Sequence, residues 1–225
     1  MTTKAKKVGS MYVVEHKSQL NFEEIRAVIV DFRQCGVGEF SVIYTDDKEQ
    51  QGFFIEGGTE SNNQPVVGTY SSTGAVRIVV EQPHQHARGM LYITLGLPRN
   101  KKLNGLTAMA RNMSYNISET AEIARVNLSN KEGEIDINVK SNMVNLYSRY
   151  SPVNAVIEIT ETNVALVQVG SRVENVNLTL HNASKINVKR MPPRQQYSYN
   201  ARTCPDGYPV DVFLEENVDG DYTIQ

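Results

Sequence analysis

The strongest constraint on this chain is that its apolar residues recur at every second position, in short runs broken by turn residues. Glu134-Ile-Asp-Ile-Asn-Val139 alternates strictly and sets Ile135, Ile137 and Val139 on one face. Val76, Ile78 and Val80 share a face in the same way, as do Phe40, Val42 and Tyr44. Ile25–Phe32 is a nearly continuous β-branched run, the pattern of a strand covered on both faces. Gly36-Val-Gly38, Thr45–Lys48, Gly57–Pro65, Ser71–Gly74 and Gly96-Leu-Pro98 punctuate these runs with turn chemistry. Strands at roughly 10–15-residue spacing with turns between them predict a sandwich or a barrel. Strand–helix alternation is missing, which excludes a parallel nucleotide-binding sheet. The expectation is an all-β, mainly antiparallel protein: a flexible arm over 1–9, then a β-sandwich-like domain over 10–125.

Within that domain, 103–124 is ambiguous. Leu106, Met109, Ala110, Met113, Ile117, Ala121 and Ala124 fall at helical spacing. Asn112, Ser114, Tyr115, Asn116 and Ser118 are poor helix formers, and a strand pair through Tyr115–Ile123 competes with the helix. Beyond residue 125 the pattern is almost purely strand-like, with further β candidates at Val153–Ile159, Val164–Val169, Val173–Leu180 and Lys185–Val188. Between Tyr150 and Tyr197 there is no Phe, Trp or Tyr, and each inward Val or Ile adds at most ~2–3 kcal/mol of burial. Such thin strands suit a core shared between copies, and 126–190 is expected to be a second, β-rich, oligomerising domain. No fixed period stands out, so a solenoid is not expected. The tail, 191–225, combines proline, tyrosine and scattered charge, as an extended docking segment would.

The composition has 20 Asn, 15 Ser and 14 Thr, so the surface is largely neutral and hydrogen-bonding. A net charge of −2 argues against general nucleic-acid binding, which requires a basic excess. No long apolar run is available to span a membrane as a helix, and the basic start lacks the apolar stretch of a secretory signal. Cys35 and Cys204 make no disulfide framework and fit a chain made in a reducing cytosol.

Candidate chemistry is sparse. His84-Gln-His86 could share a metal if it lay on a strand, with His16, His181 or Cys35 completing the set, but no supporting spacing exists and the pair reads as a loop. Asp46-Asp47 belongs to a turn, where aspartate satisfies local N–H groups. No Gly-x-Ser-x-Gly elbow, dinucleotide fingerprint or phosphate loop is present. Catalytic residues, metal and cofactor are therefore expected to be none, and the chain is expected not to be an enzyme. The informative residues are the eleven tyrosines, which offer large contact area at low entropic cost. Tyr197, Tyr199, Tyr208 and Phe213 are the candidate interface residues.

Ile25–Phe32, followed by Glu39–Asp47, Thr73–Val80 and Ala87–Leu95 and closed by Pro98, resembles the small β-sandwich modules at the N-termini of phage baseplate upper proteins and of head or tail fibres. The resemblance covers the first half of the chain and implies a virion attachment or decoration protein that anchors an oligomer, often a trimer, and brings no catalytic residue. The expected function is a non-enzymatic structural component of a phage particle, made in the host cytoplasm. Its partners would be capsid, portal or tail proteins and further copies of itself, with neither nucleic acid nor membrane. Two alternatives are a carbohydrate- or peptide-binding β-sandwich module and a small hydrolase with a metal on His84 and His86.

Overall fold

The computed structural model describes residues 4–8, 11–59, 65–82, 89–148, 153–159, 165–169, 176–181, 186–190, 213–214 and 222–224. The first half forms β1 (Lys4–Val8), β2 (Met11–Ser18), β3 (Ala27–Gln34), β4 (Gly38–Thr45), β5 (Gly52–Thr59), β6 (Val66–Ser72), β7 (Ala75–Glu81) and β8 (Gly89–Pro98). A single 3-10 turn, Lys48–Gln50, lies between β4 and β5. Then follow β9 (Gly105–Ala110), β10 (Met113–Glu122), β11 (Arg125–Asn130), β12 (Ile135–Ser141) and β13 (Met143–Ser148). The remaining strands are β14 (Val153–Ile159), β15 (Ala165–Val169), β16 (Val176–His181), β17 (Ile186–Arg190), β18 (Phe213–Leu214) and β19 (Tyr222–Ile224).

Two sheets result. One runs β1-β2-β5-β8-β4-β10-β12-β14-β16-β19 and the other β18-β17-β15-β13-β11-β9-β3-β7-β6. From β9 to β17, successive strands alternate between the sheets, and each pairs in parallel with the strand two places on. The chain therefore winds as a two-sheet parallel solenoid. All-β is right; mainly antiparallel is corrected. Among the described residues antiparallel pairing joins only β1 to β2, β2 to β5, β5 to β8 and β6 to β7. The reason lies in the corners. Short turns suggested hairpins, but from β7 to β17 each corner carries the chain across to the opposite sheet, so neighbours within a sheet there come from successive coils.

Variable coil length explains why no repeat stood out. The stacked residues Leu106, Val126, Val144, Ala165 and Ile186 are separated by unequal intervals, as are Tyr115, Ile135, Val153 and Val176. The intervals differ, while the paired positions still stack in register from strand to strand. Hydrogen bonding runs through residue 125 without interruption, since β9 pairs with β11 and β10 with β12.

The ambiguity over 103–124 resolves as strands. Leu106, Ala108 and Ala110 point inward from β9, and Met113, Tyr115, Ile117 and Ala121 from β10. Leu106 lies between Val28 and Val126, partners that a helix could not face. In β10 the register shifts between Ile117 and Ala121, yet the spacing stays even, so both remain on the core side.

One core runs from Val14 to Val153, filled by aliphatic layers and an aromatic cluster in which Phe32, Phe40 and Tyr115 meet. The Tyr115 hydroxyl is satisfied by donating to the Ser129 carbonyl at 2.7 Å. Corners are joined from coil to coil. The Arg111 carbonyl accepts from Lys131 and Glu132, and the Ala124 carbonyl from Asn142 and Met143. Buried Asn130 donates to the Met113 carbonyl at 3.2 Å and to the Gly133 carbonyl. Gly133 has φ +113°, and a Cβ there would strike the Met113 carbonyl, so this corner requires glycine. On the outer face, Thr107, Asn127 and Asn145 stack in register. Asn145 donates to Asn127 at 2.7 Å and Asn127 to Thr107 at 3.4 Å. The asparagine-rich composition thus has a structural use, because in-register parallel coils bring like amides together.

Candidate binding surface

Two exposed features stand on the capped, N-terminal end. The first is a trough on the outer face of β2, β5, β8 and β4. Register sets Glu15, Glu56, Tyr92 and Glu39 in one cross-strand row and Lys17, Phe54, Thr94 and Ser41 in the next. Half-buried Phe54, Ile43 and Thr94 form its floor, with Tyr92 standing 51% exposed beside them. The Lys17 ammonium lies 5.5 Å from the Phe54 ring centroid. The turn at Lys48–Gln50 makes a wall, contributing Glu49 and Gln50. That wall can lie close because Gly96 has no side chain: a Cβ there would overlap the Gln50 carbonyl. Its shape is set by Asp47, which accepts from the Glu49 N–H at 2.9 Å, and by Thr45, whose hydroxyl accepts from the Asp47 N–H at 3.1 Å. Asp47 acts here as the sequence pattern suggested. The trough holds about 860 Å³, and Glu15, Glu56, Asp47 and Glu49 outnumber Lys17 around it. Glu15 directly opposes Glu56, a like-charged pairing that a cationic group between them would relieve.

The second feature is a cleft of about 510 Å³ on the other sheet. At its base Asp31, with a side chain only 8% exposed, accepts from Arg33 Nε at 2.9 Å and Nη2 at 2.6 Å and from Arg77 Nη2 at 3.3 Å. Hydrogen bonding from Arg33 holds the Asp31 carboxyl below the usual carboxylate range, although burial opposes it. Both arginines remain half exposed, and Tyr70 and Arg111 also line the cleft.

Other candidates carry no chemistry of this kind. The Cys35 thiol is buried and donates to the Val80 carbonyl at 3.0 Å, and burial pushes its pKa up to about 12, which makes it a poor nucleophile. His16 is buried on the core side of β2, and desolvation lowers its pKa, favouring the neutral ring. Among the described residues no three or more His, Cys, Asp or Glu side chains are grouped as metal ligands. His84 and His86 lie outside the described residues, as do Tyr197, Tyr199, Tyr208 and Cys204. Phe213 begins β18, which pairs with β17 opposite Asn187, and β19 likewise pairs with β16. These two short segments of the tail therefore join the chain's own sheets.

Sequence reading missed both surface features. The trough combines residues from four strands. The cleft had a local signal: Asp31 and Arg33 interrupt an apolar strand and stand two apart, hence on one face.

Neither a family model nor a curated protein matches the chain. Among solved structures it is similar to a protein of Clostridium sporogenes provisionally described as a cell adhesion protein, at 12% identity and TM-score 0.49, covering 84% of this chain and 100% of that one. Two proteins provisionally described as adhesins are also similar. One, from Parabacteroides distasonis, has 13% identity and TM-score 0.39 over 79% of this chain and 78% of that one. The other, from Bacteroides fragilis, has 8% identity and TM-score 0.36 over 94% and 95%. At these values no function carries over. The neighbours are nonetheless bacterial proteins and not virion attachment modules, which corrects the phage resemblance. The topology agrees: two of the segments that carried the resemblance, in β3 and β7, pair in parallel with each other, and so do the two in β4 and β8.

Proposed function

We propose that the chain is a non-enzymatic binding module whose trough over β2, β5, β8 and β4 receives a basic, extended segment of a partner protein. The observation that carries this reading is the row Glu15, Glu56, Tyr92, Glu39 beside an apolar floor. Carboxylates on neighbouring strands of a rigid sheet repel one another, and lysine or arginine heads placed between them turn that repulsion into attraction. Phe54, Ile43 and exposed Tyr92 offer apolar area to the stems of the same side chains. Virion location and capsid, portal or tail partners rested on the resemblance corrected above and are not carried forward.

The test is fluorescence anisotropy of labelled oligo-arginine and oligo-glutamate peptides with the full chain. Oligo-arginine should bind and oligo-glutamate should not. Glu56→Lys should abolish binding and Tyr92→Ser should weaken it by about tenfold, the loss of one buried aromatic contact. Unchanged affinity in both variants would sink the proposal.

A further inference from the structure

The cleft on the second sheet has chemistry opposite to that of the trough. Arg33, Arg77 and Arg111 meet there against two carboxylates, Asp31 and Glu81, in a chain whose net charge is −2. Asp31 is nearly buried, and its two oxygens are taken up in holding Arg33 and Arg77, which come from different strands. Arg33 is held along one edge by Asp31 and Arg77 by a single Nη2 contact, and both side chains stay half exposed, so their remaining donors can meet a ligand. Arg33 directly follows Phe32 and Arg111 directly follows its register partner Ala110, and both side chains line the cleft. Directly opposite Arg77 in register stands Tyr70, 64% exposed on the edge strand β6.

We propose that this cleft binds an acidic saccharide, with its carboxylate or sulfate on the Arg33, Arg77 and Arg111 forks and the face of its sugar ring against Tyr70. Planar arginine forks match both oxyanions, which are the shared chemistry of uronate and sulfated sugars. A volume of about 510 Å³ suits one or two sugar rings. The exposed tyrosine favours a saccharide over an acidic peptide, because a sugar presents an apolar ring face next to its charge, whereas a glutamate side chain does not. This site is independent of the trough, which lies on the other sheet.

Isothermal titration of the full chain with heparin oligosaccharides, oligogalacturonate and neutral dextran at near-physiological salt tests the proposal. Heparin, oligogalacturonate or both should bind and dextran should not; oligogalacturonate, with carboxylates alone, binding as tightly as heparin, with both groups, would show that carboxylate suffices. Arg111→Gln and Tyr70→Ser should each reduce affinity by about tenfold without moving the melting temperature. Both variants leave the Asp31 contacts in place, and the melting temperature read beside the affinity separates lost binding from lost fold. Glu56→Lys should have no effect here. Equal affinity for dextran, or wild-type affinity in both cleft variants, would overturn the proposal. So would binding of oligo-glutamate as tight as that of the saccharides and indifferent to Tyr70→Ser, which would assign the cleft to acidic peptides.

Discussion

Ile78 is the position at which a single substitution tests the core most directly. It is 1% exposed on β7, paired with Val30 of β3 on one side and Thr69 of β6 on the other, with Val76 and Val80 inward beside it. Ile78→Val removes one methylene and should cost about 0.5–1.5 kcal/mol, and Ile78→Ala about 2–5, because the surrounding strands cannot collapse into the space. Ile78→Asp loses the same burial and also places a carboxylate in a core where, among the described residues, no lysine or arginine is buried, adding several kcal/mol. Against a total of roughly 5–15 kcal/mol the protein should unfold at neutral pH. The penalty has a pH signature. Burial would raise the folded-state pKa of this aspartate above its unfolded value of about 3.9. The cost is then smallest below that value and grows as pH rises towards the folded pKa, so acid should partly restore the fold. Urea denaturation of the three variants, with circular dichroism at several pH values, checks the ranking and the sign. An Ile78→Asp protein that melts with the wild type at neutral pH would refute the inward placement of this face.

Asp31 should behave in the opposite sense: its folded pKa is depressed, chiefly by hydrogen bonding from Arg33, so its stabilisation is present above the unfolded value near 3.9 and is lost as pH falls through the folded one. Asp31→Asn should flatten that acid limb and cost about 2 kcal/mol or less at pH 7, since both arginines are half exposed; an acid limb identical to the wild type would contradict it. Deleting residues 213–225 removes β18 and β19 and bares the edges of β17 and β16, so the truncated chain should self-associate more than the full one. Sedimentation over a concentration series reads this, and equal or weaker association after truncation would mean that the tail contacts other copies, as its composition first suggested.

The sequence by itself determined most of the strands and which way their side chains point, although Lys4–Val8, expected as a flexible arm, is β1. Alternation has period two, and one-face burial follows from it directly: Val76, Ile78 and Val80, Phe40 and Val42, and Ile135, Ile137 and Val139 all face the core. It also located several of the turns, because glycine, asparagine and aspartate act locally, as Asp47 does when its side chain accepts from the Glu49 N–H, although Gly96-Leu-Pro98, expected as a stop, lies inside β8. What it could not determine was which strands become neighbours. A strand carries the same local signal whether its partner runs parallel or antiparallel, and here the partner lies a whole coil away, at intervals that vary with each corner. The choice between helix and strand at 106–124 was likewise made by tertiary contacts, since only a strand places Leu106 between Val28 and Val126. The trough and the arginine cleft follow from the same register. Glu15, Glu56 and Tyr92, and equally Tyr70, Arg77 and Asp31, are distant in sequence and become adjacent only when hydrogen bonding stacks their strands.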